Sequence, residues 1–402
     1  MKLSEFGRDF LFLALRIGKH NKNYVDYYIG PDKIRELVDK EDPVSPRKLL
    51  KDYKTLHSKL FTQGYDKKRE RYIAKMLVAM RTSVEILNGM KIPFKELFLR
   101  QYDVTLQPAN ESELDELKEE INEAYGGTGS LEEKLKRLRE IRTIPKSKVF
   151  ILFENALNIA KNRTKEVFLN LLPKSERIIL DLVSTDNEEE AKWTYYEWYL
   201  GKFRSRIEIN PTYNMYWTAI LSAATHEGYP GHHTEFVVKE QRLYKELNHF
   251  EHSLLLLNSP KLVISEGIAE IGANMLYSYR EQAEISIQNF CLKSLPDESL
   301  DMLMIQNKVK GKIHLFWYNL AYLALVEDWS EEKLIQYALG YELYDKNTIK
   351  NRLKLIFNQV YSTTVFSYKI GRDIIINKIS EFPSVKDFRL LLEKSVLPSD
   401  LQ

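Results

Sequence analysis

The sequence predicts a mainly α-helical protein with a small sheet of about three strands, and three observations carry that expectation. Glycine and proline number 16 and 13 in 402 residues, about 7% against roughly 12% in an average soluble protein, so there are few breakers to punctuate many short strands. Helical apolar spacing runs through most of the chain, and only between Arg177 and Ile209 do branched apolar runs and period-2 alternation replace it. With 44% apolar and 29% charged residues the chain can bury a large core, with two or three lobes as the prior.

Each element has a local cause. In the first hundred residues, Pro31 and Pro46 stand where a first helical turn begins, after Gly30 and Ser45. The run Lys67 to Leu87 closes on Asn88-Gly89. From Ser112 to Arg142 the chain is strongly charged and split by Gly126-Gly127-Thr128-Gly129. Ser130 with Glu133 forms a capping box, and Leu131, Leu135, Leu138 and Ile141 share a face. This reads as a solvent-projecting helical hairpin (112–142), and it places a lobe boundary near 145, between an N-terminal lobe (1–145) and a catalytic lobe (146–402). The sheet falls at about 176–210, where Phe203, Ser205, Ile207 and Ile209 alternate with Arg204, Arg206 and Glu208 after a turn at Leu200-Gly201-Lys202. Beyond Pro211 the pattern is helical again. The apolar stretch Ile313 to Val326, which contains His314 and Asn319, is too short to span a bilayer and reads as a buried helix.

Charge and cysteine content exclude several classes. The 59 basic and 57 acidic residues leave a net charge of +2, with no bulk drive toward nucleic acid or an anionic membrane. Cys291 is alone, so no intramolecular disulfide forms, and Met1 to His20 lacks a signal-peptide pattern. The expectation is a cytoplasmic protein, with no nucleic-acid or membrane partner and a homodimer left open.

The chemistry concentrates in one window. Five of the eight histidines lie between His226 and His252, three of them in His226-Glu227-Gly228-Tyr229-Pro230-Gly231-His232-His233. Zinc peptidases commonly place two His one helical turn apart with a Glu beside the first, but the fifth position here is Pro230. On an unbroken helix His232 would sit about 120° off the face of His226, and His233 about 10 Å further along. The helix must therefore be interrupted, and Pro230-Gly231 suits that. Read as a two-residue bulge, the insertion brings His232 to His226 as the second ligand and leaves His233 to support a ligand or to contact substrate; the opposite choice between the two imidazoles stays open. Downstream, Ser259-Pro260 starts a helix that carries Glu266 and Glu270 one turn apart in an apolar run. One carboxylate on a metal and one orienting a ligand imidazole would account for both. His249 and His252 read as surface residues.

These residues resemble a known family. His226 to His233 matches the HExxPGHH signature of a widespread prokaryotic family, a domain of unknown function (number 885), held to be related to gluzincin peptidases such as angiotensin-converting enzyme and carboxypeptidase Taq. Glu266-Gly267-Ile268-Ala269-Glu270 is similar to the E-x-x-x-D/E helix of those peptidases, and Ser367-Tyr368-Lys369-Ile370-Gly371 and Ile209-Asn210-Pro211 resemble further segments of the family. Ser362-Thr363-Thr364 departs from the family's P-G-Q. The resemblance spans roughly 175–375. It implies a large helical architecture like that of angiotensin-converting enzyme and neurolysin, with one zinc ion on His226, His232 and Glu266, and Glu270 supporting a ligand histidine.

The implied activity is zinc-dependent hydrolysis of short peptides, of carboxypeptidase or oligopeptidase type. Glu227 would act as general base and Tyr368 or His233 as oxyanion donor. The Phe203–Ile209 strand would offer an edge for an extended peptide, and Arg204, Arg206 and Arg372 are candidates to hold a C-terminal carboxylate. The rival readings are a zinc-dependent amidase or esterase on non-peptide substrates, and a non-catalytic helical binding protein with a structural or vestigial metal site.

Overall fold

Local signals set the helix ends as the sequence suggests. In the computed structural model, which describes residues 3–183, 193–292, 300–358 and 361–402, the chain is mainly helical with two small sheets. Pro46 opens the helix Pro46–Leu60 after Ser45, and Pro260 opens Pro260–Glu270 after Ser259. Asp66 accepts from the backbone N–H groups of Lys68 and Arg69 at the start of Lys67–Leu87. Ser130 and Glu133 close a reciprocal capping box at the start of Leu131–Arg142.

The charged hairpin does not project into solvent. Leu114, Leu117, Ile121, Leu131 and Leu135 are buried in one core with Val309, Leu315, Leu334 and Leu353 from the last third of the chain. Arg142 donates to Gln306 at 2.7 Å across the same interface. Its high charge covers the outer face only, and the leucine stripe is wide enough to dock. Packing therefore runs across residue 145. A second core joins Lys146–Val167 to the later helices through Phe153, Ile220, Ile264, Ile268 and Phe388. A third packs the first helices around Phe10, Leu49 and Met76, together with Phe250, Leu254 and Leu256.

Two sheets tie these cores to the site. Strand β1 (Val25–Tyr28) waits for a partner more than two hundred residues on, β5 (Leu254–Leu256), and pairs with it antiparallel. Between them in sequence lie β2 (Arg177–Leu182), β3 (Tyr195–Gly201) and β4 (Arg204–Ile209), which form a second sheet in the order β2-β4-β3. Residues 184–192 of the expected 176–210 sheet segment lie outside the described residues. The β3–β4 turn puts Lys202 and Phe203 at φ of 55° and 62°, and the Glu240 carboxylate accepts both of their N–H groups at 3.1 Å. Strand β4 is central, parallel to β2 and antiparallel to β3. It is not the edge that the alternation alone suggested; among the described residues β2 and β3 are the edges.

The Pro260–Glu270 helix crosses the helix Ser367–Ile379 backbone to backbone. A Cβ on Gly267 would fall on the carbonyl of Gly371, and one on Gly371 would fall on the carbonyl of Val263. Only glycine at both positions permits that approach. The crossing fixes how Tyr368 stands to Glu266.

Candidate metal centre

The histidine helix is broken rather than bulged. One helix, Ile220–Glu227, ends at Glu227, and a second, His232–Lys239, begins at His232. Between them Gly231 donates its N–H to the Thr225 carbonyl at 2.9 Å, and the Tyr229–Pro230 peptide is cis. A Cβ on Gly231 would overlap the carbonyl of His226. The break lets the second helix start beside the end of the first, and the His226 and His232 rings meet edge to face with centroids 4.8 Å apart.

Three ligand atoms converge there. His226 Nε2 and His232 Nε2 lie 3.5 and 3.7 Å from the same Glu266 oxygen, Oε2, and one ligand atom from each residue falls within 4.8 Å of the others. Ligands in a tetrahedron with zinc bonds of about 2.0–2.1 Å sit roughly 3.4 Å apart, so the spacing is that of donors around one ion. Glu266 is 8% exposed and its Oε2 is buried with no hydrogen-bond donor, a costly arrangement unless a cation receives it. Burial would raise this carboxyl, but the two imidazoles outweigh it and hold it at about 2, so it is ionised. A tetrahedral ion held by these three residues would keep one coordination position open.

Supporting groups orient both imidazoles. His226 Nδ1 is 3.4 Å from Glu270 Oε1, as the sequence suggested, and Glu270 Oε2 is 3.0 Å from His314 Nε2. His232 Nδ1 is 3.2 Å from the Ser265 hydroxyl, which donates to Glu235 at 2.6 Å, and Glu235 pairs with the buried Lys239 at 2.5 Å. Such partners fix ring orientation and strengthen a ligand imidazole. His314, Ser265, Glu235 and Lys239 escaped the sequence reading. The signal was present in part: His314 and the Glu235/Lys239 pair are polar groups set within apolar helical runs.

Glu227 and Tyr368 line the same cleft as the three ligands. Burial raises the Glu227 carboxyl, opposed by the imidazoles of His226 and His232. The Asn210 N–H donates to the Thr194 carbonyl, so by alternation Tyr195, Glu197 and Tyr199 turn their backbone groups away from β4, toward the free edge. The Tyr368 ring lies over His226 and His314, with centroids 6.3 and 5.8 Å away. The charge of Glu266, then burial, pushes its phenol well above the usual range, so it keeps its proton for donation. Asp26 also lines the cleft; burial raises its carboxyl to about 6 against a hydrogen bond from Tyr196.

Four expected positions fall elsewhere. His233 is fully buried, with Nδ1 2.6 Å from the Ser205 hydroxyl and Nε2 3.1 Å from Glu176, so it has no nitrogen left for substrate or oxyanion. Burial holds its imidazole below the ordinary range; burial would raise Glu176, but hydrogen bonds from His233, Tyr229 and Lys161 bring it to about 2. Successive residues on one helix diverge by about 100°, which sends His233 away from its neighbour's ligand. Arg204 reaches only the Gly201 carbonyl at 3.5 Å, and Arg206 pairs with Glu208 at 3.0 Å; neither lines the cleft. Arg372 lines an adjoining cavity that His226 and Glu227 also line, but Glu381 holds it at 2.5 Å.

A second convergent group, His249, Glu251 and His252, differs in charge. Arg69 grips Glu251 through both oxygens at 2.8 and 2.9 Å, and Lys239 and Lys261 add positive field at His252. A divalent ion would meet cations there. His252 is buried, stacked on Tyr72, and not the surface residue that was expected.

No protein-family model matches the chain, and no curated protein matches it. Two solved structures share its fold. One, described as a "putative lipoprotein" from Colwellia psychrerythraea, aligns at a TM-score of 0.55 and 11% identity over 92% of this chain and 68% of its own. The other, described as a "putative lipoprotein of unknown function" from Shewanella oneidensis, aligns at 0.50 and 12% over 94% and 80%. Neither description names a peptidase, and at these identities the likeness is one of fold alone. The resemblance to the HExxPGHH family and to gluzincin peptidases is thereby overturned as a family assignment: a signature of a few residues found no support from any family match. What stands is the geometry.

Proposed function

We propose that the protein is a metal-dependent hydrolase, with zinc the best match to a two-imidazole, one-carboxylate donor set, and that it cleaves short peptides. The observation that carries this is the buried, unbonded Glu266 oxygen facing two imidazole nitrogens at 3.5 and 3.7 Å. An ion held there would supply a Lewis acid and make a bound water acidic near neutral pH. Glu227, beside the first ligand, takes the proton of the attacking water and passes it to the leaving amine. Its raised pKa makes it a better acceptor of the water's proton. Tyr368 donates to the oxygen on which negative charge develops. The β3 edge, which no other strand pairs among the described residues, gives an extended substrate backbone a place to pair.

An intact base beside three ligands speaks against a purely structural site, which is normally closed by four. Among the described residues no helix is long and apolar enough to cross a membrane. We keep the reducing compartment suited to a lone cysteine as the proposed location; the lipoprotein description belongs to the neighbours.

Hydrolysis of a mixed pool of short peptides tests the function. The expected result is cleavage by zinc-loaded protein, lost in 1,10-phenanthroline and restored by added zinc. Cleavage of esters or non-peptide amides with every peptide left intact would favour the amidase reading instead.

A further inference from the structure

A guanidinium that no hydrogen bond or ion pair engages among the described residues lies in the same cleft as the metal ligands. Arg352, on the helix Lys346–Ile356, lines that cleft together with His226, His232 and Glu266. Its Nε is buried and unbonded, and its guanidinium carbon rests 5.5 Å from the centre of the Trp317 ring. The neighbouring cations are committed: Arg372 to Glu381 and Lys369 to Asp373, each at 2.5 Å, and Lys310 to Ser222 at 2.6 Å. A buried N–H left unbonded is costly, and an entering anion would relieve it. A planar guanidinium suits a carboxylate, which it can bind through two parallel bonds.

The rest of the cleft says which carboxylate. Phe236, Leu255, Leu257, Leu262, Leu355 and Val365 give it an apolar lining that it shares with Arg352 and the ligands. A carboxylate next to an apolar side chain, within one cleft of a hydrolytic centre, describes the last residue of a peptide. An internal peptide segment or a C-terminal amide would bury the guanidinium without a counter-charge. We infer that Arg352 anchors the free C-terminal carboxylate of the substrate, and that the apolar wall takes its final side chain. The protein is then a carboxypeptidase with a preference for apolar C-terminal residues, an inference that rests on the peptidase reading above. Arg352 replaces Arg204, Arg206 and Arg372 in that role.

The test pairs a blocked peptide ending in Phe with the same peptide as its C-terminal amide. Wild type should favour the acid by about a hundredfold in kcat/KM, and Arg352→Gln should bring the ratio near one, chiefly through KM. Arg352→Lys should keep part of the preference, and thermal melting checks that both variants fold. Independently of turnover, calorimetry with 3-phenylpropanoate on zinc-loaded protein should give binding about tenfold or more weaker in Arg352→Gln. Equal cleavage of acid and amide by wild type, or phenylpropanoate binding indifferent to Arg352, overturns the inference. If phenylpropanoate binds through Arg352 but no peptide is cleaved, the carboxypeptidase assignment falls with the peptidase reading while the carboxylate anchor stands.

Discussion

Replacing Glu227 by Gln should lower peptide hydrolysis by about 10²–10⁴-fold while leaving the metal bound and the fold intact. The amide keeps the size of the carboxylate, but it cannot accept a proton from water. Because Glu227 is not among the three convergent ligands, metal content should not change. The loss should appear in kcat more than in KM, since the missing interaction belongs to the transition state. Steady-state kinetics beside metal analysis of the same preparation decides the matter. A variant that loses metal and activity together would make Glu227 a ligand rather than a base.

The second large effect is expected at a position that carries no titrating side chain of its own. Gly371→Ala drives a methyl group into the carbonyl of Val263 and the backbone of Gly267, where no flexible side chain can yield. The two helices must part, at a cost of about 1–3 kcal/mol of stability for the overpacking. Tyr368 would shift relative to Glu266, and a displacement of about 1 Å at a reacting group can cost roughly a hundredfold in rate. Gly340→Ala is the control: nothing lies within 4 Å of a Cβ there, so stability should hold or rise slightly. Thermal melting and turnover measured on both variants check this. A Gly371→Ala protein as stable and active as wild type would mean that the crossing does not position the tyrosine.

The site was legible where chemistry and helical geometry coincide. His226, His232, Glu266 and Glu270 were readable because a Pro-Gly break and a one-turn spacing act locally, and the structure brings all four together. The break itself spans four residues rather than two, because Gly228 to Gly231 leave the helix entirely. His233 was misread because its adjacency to His232 in sequence becomes divergence on a helix. The arginines were misread because strand order was hidden: alternation marks Arg204 and Arg206 as part of a strand but cannot say that β2 would cover the edge of β4. Arg352 reaches the cleft, and His314 reaches Glu270, through packing of helices far apart in the chain, and no local pattern records that. The charged hairpin shows the same limit, since a buried leucine stripe under many charges looks solvent-facing in composition alone. The short signature was legible too, yet it led to a family that no comparison supports.

Metal content is the most direct test of the central claim, that His226, His232 and Glu266 together hold one ion. Mass-spectrometric metal analysis would be run on dialysed wild type, on the single alanine variants of those three residues, and on His233→Ala and His252→Ala. The expected result is one zinc ion per wild-type chain, loss of the ion in each of the three ligand variants, and retention in the two controls. Wild type without bound metal after zinc loading, or ligand variants that keep it as firmly as the controls, would contradict the account.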